Sequence, residues 1–443
     1  MKKQISTCTM AVLWTFGAIG FIGIGSSARA SRAGETSSGG TVNASKDYKF
    51  RDVKIDVQDG DRIVITGIRG VIRLEQTGGV SFGAPANDAG QDGVGANPSL
   101  QAQIPQDLPT TNANVKETAG PVSVTIKAHK LLSEKGLAQW AAKFESLSLQ
   151  TRRDGHVVYI ETKGTQAAAD WLEWTSANSP AINIEVSMNS ARSLPVEVSL
   201  HDGTVDVRGW QAAVSASIVQ GSIRTTNTLG DLQVQVQHGD VRINRHHGAV
   251  DVDSFQGKLI ADHVEGDIHL DNFSGDSSLK NIAGNVFVRT HSGPTNVANS
   301  TGAIDFELGR GALNVAKFEG PVRGQTDRAA VVAKLEGESD VNIESAQGPV
   351  AVRLPASSGA AIRLQTETGT LNVPEEIRPS QTASSKFASG RMKGAGPRGS
   401  VTIKSKAASI RVRPDGAGAS ASAAPESEPA PSERASEPEP AAD

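Results

Sequence analysis

The segments GDVRINRHH (239–247), GAVDVDSFQ (248–256), GKLIADHVE (257–265) and GDIHLDNFS (266–274) decide the fold. Each has nine residues and each opens on glycine. The series is longer than these four. Glycine stands at 221, 230, 239, 248, 257, 266, 275, 284, 293, 302, 311 and 320. Glycine is 46 of the 443 residues, close to ordinary usage, so the unbroken spacing is an internal repeat.

Registered on its glycine, most units carry an aliphatic pair. The second residue is Ile223, Leu232, Val241, Val250, Leu259 or Ile268, and the fourth is Val234, Ile243, Val252, Ala261 or Leu270. The residue between them is mostly polar, as at Arg242, Asp251 and His269. Side chains alternate across a strand, so each unit reads as a short strand with its aliphatic pair inward. Glycine reverses the chain at little steric cost. Asp231, Asp240, Asp267 and Asp276, each following a glycine, read as turn formers. Phe255, Val264, Phe273, Ile282 and Phe318 recur seven residues after their glycines and read as corner plugs of the core.

Strands this short bury nothing alone, so the units must stack into a quasi-one-dimensional rod. The expected fold is all-β, a β-solenoid of nine-residue glycine-registered units over 201–413. Spacing alone leaves two or three units per coil open, with two expected. Two units per coil over 203–373 give a rod of about 45 Å at the ordinary strand spacing. The stretches 401–403 and 410–412 read as a pair that closes its end.

The flanks differ. Met1-Lys2-Lys3, an apolar run to Gly25 and an A-x-A end at Ala30 read as a signal peptide over 1–30. Its removal takes Lys2, Lys3 and Arg29 and moves the net charge from −4 to about −7. Residues 31–46 read as a linker. The region 47–200 is expected to be a smaller, mixed, strand-rich part. It holds a long loop at 77–119, a short amphipathic helix at 132–145 and a second short helix near 165–175. Residues 414–443, rich in Ala, Pro, Ser and Glu, have little to bury and are expected to remain disordered.

Runs such as 239–243, 248–252 and 266–270 resemble the bacterial putative-adhesin family of β-strand-repeat proteins, itself similar to the GIN domain of auto-transporter adhesin heads. The resemblance implies envelope exposure and adhesion. It supplies no catalytic residues.

Chemistry leaves few marks. Cys8, the one cysteine, lies in the signal, so a mature chain has no thiolate and no disulfide. The folded part is nearly neutral, which excludes the basic footprint of a nucleic-acid binder. No G-G-x-G-x-D ladder for calcium occurs. No two of His238, His246, His247, His263, His269 and His291 lie eighteen or twenty-seven residues apart, so a simple stack does not superpose them and no metal site is expected. No catalytic or cofactor-binding residue and no cofactor is expected. Asp251 and Asp305 face outward but lie far apart along the rod for paired-carboxylate hydrolysis. Outward aromatics are scarce, Phe287 being an exception. Trp140, Trp171, Trp174 and Trp210 read as a cap on the core.

The leading expectation is a non-enzymatic envelope protein at the periplasm or cell surface, without a transmembrane segment once mature. It would present polar rows to glycan, cell wall or another protein, and no nucleic acid. A carbohydrate-active β-helix and a structural or envelope-stress accessory protein are the alternatives.

Overall fold

The computed structural model describes residues 45–77, 122–133, 140, 144–145, 147–163, 180–192, 194–396 and 398–415. The expected signal peptide, the linker up to residue 44, nearly all of the 77–119 loop, the 165–175 helix and the tail beyond 415 lie outside these residues.

The alternating apolar pattern produces strands throughout. The N-terminal part supplies β1 (Ser45–Val57), β2 (Arg62–Thr77), β3 (Val122–Ser133), β4 (Ser148–Asp154), β5 (Val157–Lys163) and β6 (Ala181–Asn189). Three long strands follow: β7 (Val196–Arg208), β8 (Val214–Leu229) and β9 (Leu232–His247). The short repeat strands are β10 (Val250–Gln256), β11 (Leu259–Glu265), β12 (Ile268–Ser274), β13 (Ser277–Ala283), β14 (Val286–Ser292) and β15 (Pro294–Thr301). They continue as β16 (Ile304–Leu308), β17 (Ala312–Glu319), β18 (Val322–Thr326), β19 (Ala330–Leu335), β20 (Val341–Ser345) and β21 (Val350–Leu354). The chain closes with β22 (Ala361–Thr366), β23 (Leu371–Asn372), β24 (Pro379–Gln381), β25 (Lys386–Arg391), β26 (Ser400–Ser405) and β27 (Ile410–Pro414).

Pairing settles the coil. Val250 pairs in parallel with Ile268, Ile268 with Val286 and Val286 with Ile304. Leu259 pairs likewise with Ser277, and Ser277 with Thr295. Each rung lies eighteen residues from the next, so a coil holds two nine-residue units. The protein is a β-solenoid with two faces. Face A carries β10, β12, β14, β16, β18 and β20, and face B carries β11, β13, β15, β17, β19 and β21. The long strands β7, β8 and β9 run through both faces, turning the corner at Gly203, Gly221 and Gly239.

The corner shows why glycine is needed. Gly239 has φ of 150°, and a Cβ there would overlap the carbonyl oxygen of Gly221, one rung below. At three corners the residue after the glycine works across rungs. Asp240 accepts from the Lys258 N–H at 3.1 Å, Asp267 from Asn285 N–H at 2.8 Å, and Asn285 from Ala303 N–H at 3.1 Å. These side chains satisfy the corner of the next coil rather than their own turn.

The two units of a coil are not alike. On face B the sixth residue after the glycine is left-handed, with φ near 50–56° at Asn227, Arg245, His263, Asn281, Asn299 and Lys317. That kink turns the seventh residue inward, so Thr228, His246, Val264, Ile282, Ser300 and Phe318 are all buried. Face A has no such kink. There the sixth residue points in (Val236, Ser254, Asn272, Thr290, Leu308) and the seventh points out. The reading of Phe255 and Phe273 as corner plugs is therefore corrected: both are exposed.

Three further corrections concern the ends. Leu132 and Ser133 complete β3, so the helix expected over 132–145 does not begin there. Within that span Trp140 and Phe144 have helical backbone, and residues 134–139 and 141–143 are not among those described. The boundary drawn at 200/201 falls inside β7; β2 pairs in parallel with β7 from Ile63 to Glu75 and, on its other side, with β5 and β6, so the parallel stack starts at β5 and β6. Strands β26 and β27 do not close the rod. They insert between earlier strands: β26 lies between β20 and β22, and β27 between β21 and β23. The outermost pairings are antiparallel, with β1 on β3, β3 on β6 and β4 on β5 at one end and β25 against β22 and β24 at the other. Changing strand direction at the ends limits edge-to-edge growth.

One hydrophobic cluster runs the length of the stack, from Val57 to Val412. Trp210 is fully buried in it and donates its indole N–H to Leu194 O at 2.9 Å. Trp140 packs separately with Leu132 and Phe144. Trp171 and Trp174 lie outside the described residues.

Candidate functional site

Because face A lacks the kink, its fifth and seventh columns both project outward and stack rung upon rung. The seventh column carries rings. Phe255 and Phe273 are 51% and 46% exposed. Their rings stack at 4.8 Å and 8°, and Phe273 stacks on His291 at 4.7 Å and 7°. His238 adds an edge contact to Phe255 at 5.9 Å. Three rings, Phe255, Phe273 and His291, thus line one exposed column of a chain poor in aromatics, with His238 beside its first member. Burial of Phe is the rule, so this row is the feature of the surface that packing does not explain.

The fifth column is charged. Asp253, Asp271, Arg289 and Glu307 occupy successive rungs. Arg289 bridges its neighbours, at 3.3 Å to Asp271 and 3.1 Å to Glu307, and these carboxylates hold its pKa above the ordinary arginine value. Burial, with the charges of Asp251 and Asp271, pushes the Asp253 carboxyl up. Asp251 and Asp305 both project from face A, three rungs apart in the third column. In that column His269 meets Phe287 edge-on at 4.8 Å.

These columns border two grooves. One of about 920 Å³ runs between the fifth and seventh columns from Asp271 and Phe273 to Lys404 and Lys406. The other, about 900 Å³, runs between the first and third columns, from Arg62 past Asp251 and His269 to Asp305. Arg289 borders both.

The remaining histidines are dispersed. His246 is buried and meets the Thr228 hydroxyl at 2.8 Å. His247 pairs with Glu265 and His263 with Asp262. Among the described residues no three His, Cys, Asp or Glu side chains converge as a metal site. No described helix is long and apolar enough to cross a membrane.

The rhythm of glycine and aliphatic residues, now seen as stacked coils, matches a known family profile, Toastrack DUF4097, over residues 227–409. This stretch is similar to the Toastrack family. It contains the runs at 239–243, 248–252 and 266–270 that carried the adhesin resemblance, all of the aromatic column and most of both grooves. The parallel stack reaches beyond the Toastrack match, through β2 to β5 and β6. No curated protein matches the chain. Three solved structures are similar to it. One is a "putative cell adhesion protein" from Clostridium sporogenes, at 11% identity over 82% of this chain and 99% of its own, TM-score 0.17. The second is a "putative lipid binding protein" from Parabacteroides distasonis, at 12% over 68% and 96%, TM-score 0.20. The third is a "putative adhesin" from Bacteroides fragilis, at 10% over 84% and 98%, TM-score 0.20. Likeness at these scores carries no argument about function.

Proposed function

We propose that this protein is an exported, non-enzymatic β-solenoid of the cell envelope, an adhesin-type rod that binds an extended surface ligand along face A. The observation that carries the reading is the exposed ring column Phe255–Phe273–His291 beside a charged column. Apolar rings left in water across consecutive rungs mark an interaction surface. A rigid stack spaces them evenly, so many weak contacts add along one polymer. Glycan, cell wall and protein are the ligand classes this surface suits, and the leader over 1–30 would deliver it to the periplasm or cell surface.

The test has two parts. Protease added to intact cells should digest the mature chain if it is displayed outside. Purified protein should sediment with isolated envelope material, and Phe255→Ala/Phe273→Ala should abolish this without lowering the melting temperature by more than a few degrees. Undiminished sedimentation of that variant would remove face A from the reading.

A second reading, polysaccharide modification, draws on the raised Asp253 carboxyl beside Asp251 and Asp271. A pair of neighbouring carboxyl groups is the equipment of glycoside hydrolysis. It requires release of reducing ends from envelope polysaccharide, lost in Asp253→Asn.

A further inference from the structure

We infer that the groove beside the ring column takes a linear polysaccharide, one pyranose ring of which stacks on the open face of His291 above Gly309. The inference rests on the face A reading and narrows its ligand.

The ring column ends abruptly. Phe255, Phe273 and His291 follow one another at eighteen residues, and the next rung places Gly309 in that column. The rung is fully formed: the Gly309 N–H donates to Thr290 O at 2.8 Å, and Gly309 O accepts from Arg328 N–H at 2.8 Å. Glycine has its own cause there, since a Cβ would lie 2.6 Å from His291 O. The consequence is a missing ring. One face of His291 is covered by Phe273. The other looks along the column over a residue with no side chain, and both His291 and Gly309 line the 920 Å³ groove.

The surroundings suit a polyhydroxylated ring better than an aliphatic one. Glu307 flanks the gap on its own rung, and Gln325 and Asp327 stand on the next. Carboxylates and an amide beside an aromatic face supply hydroxyl partners and a surface for the ring's C–H groups. The direction also fits. Rungs are ~4.8 Å apart, comparable to the advance per residue of an extended pyranose chain. A linear glycan lying in the groove would meet the same pair of columns at each step. A peptide would need apolar recesses for alternate side chains, and beyond His291 the columns offer Glu307, Gln325, Asp327 and Glu344.

The test uses the full mature chain and calorimetric titration with hexamers of glucose and of N-acetylglucosamine. At least one should bind. His291→Ala should weaken it about five- to tenfold, as loss of one ring contact does, whereas His291→Phe should retain it. Equal binding by wild type and His291→Ala would overturn the subsite. Binding of neither hexamer, with envelope sedimentation still dependent on Phe255 and Phe273, would overturn the glycan and leave the face A reading standing. Loss of both would end both.

Discussion

His246 stands in a column otherwise filled by Thr228, Val264, Ile282, Ser300 and Phe318, and it is 1% exposed. Burial drives its pKa down from 6.5 to about 4. The folded protein therefore keeps it neutral where the unfolded chain would protonate it. Stability from this site is intact above pH 6.5, declines as pH falls to about 4 and is constant below. The interval corresponds to roughly 3 kcal/mol. Urea melts from pH 7 to 4 should show this slope, and His246→Leu should flatten it. Asp61 extends acid sensitivity further down. Burial raises its pKa, but the Gln58 N–H, Arg153 and His156 outweigh that and hold it below the usual 3.8. Its contribution is present above that value and is lost as pH falls through the depressed one. Glycine at the corner belongs to the same scale. Gly239→Ala meets both a forbidden φ and the Gly221 carbonyl, and should cost at least about 3 kcal/mol by chemical denaturation.

At the level of the strand, the difference between the faces is one residue's backbone. The second and fourth positions were legible from period-two alternation, because both faces obey it. The seventh was not, because it points inward on one face and outward on the other. Reading Phe255 with Phe318 as one column merged an exposed ring with a buried one, and so concealed the candidate surface. A signal existed: Asn227, Asn281 and Asn299 stand at the left-handed site, and Asn tolerates that conformation. Their spacing is a multiple of eighteen, not nine, which marks alternate units as different. Lys317 offers the cleanest test. Lys317→Val forces a β-branched residue into φ of 51° and should destabilise by about 1–2 kcal/mol. Lys317→Asn should be neutral or slightly stabilising. The insertion of β26 and β27 between earlier strands left no comparable signal, since Val401-Thr-Ile403 alternates like any other unit.

For the whole molecule, the repeat that matters is the coil. Each eighteen-residue coil contacts chiefly the coils above and below, so the stack should tolerate loss of a complete one. Deleting 268–285 joins Asp267 to Val286 and sets β14 where β12 stood, with every inward residue still inward. Deleting nine residues, 277–285, is a smaller excision with a larger effect. It moves β14 onto face B, where the kink falls on Thr290, a β-branched residue, and His291 is driven into the core in place of Ile282. All later strands exchange faces as well, so the ring column and the left-handed column lose their continuity. The eighteen-residue deletion should melt cooperatively by circular dichroism, within about ten degrees of the parent, as expected when a few kcal/mol leave a domain of this size. The nine-residue deletion should lose the cooperative transition. Similar melts for the two variants would mean that the faces are interchangeable, and that neither the kink nor the exposed ring column is built into the coil.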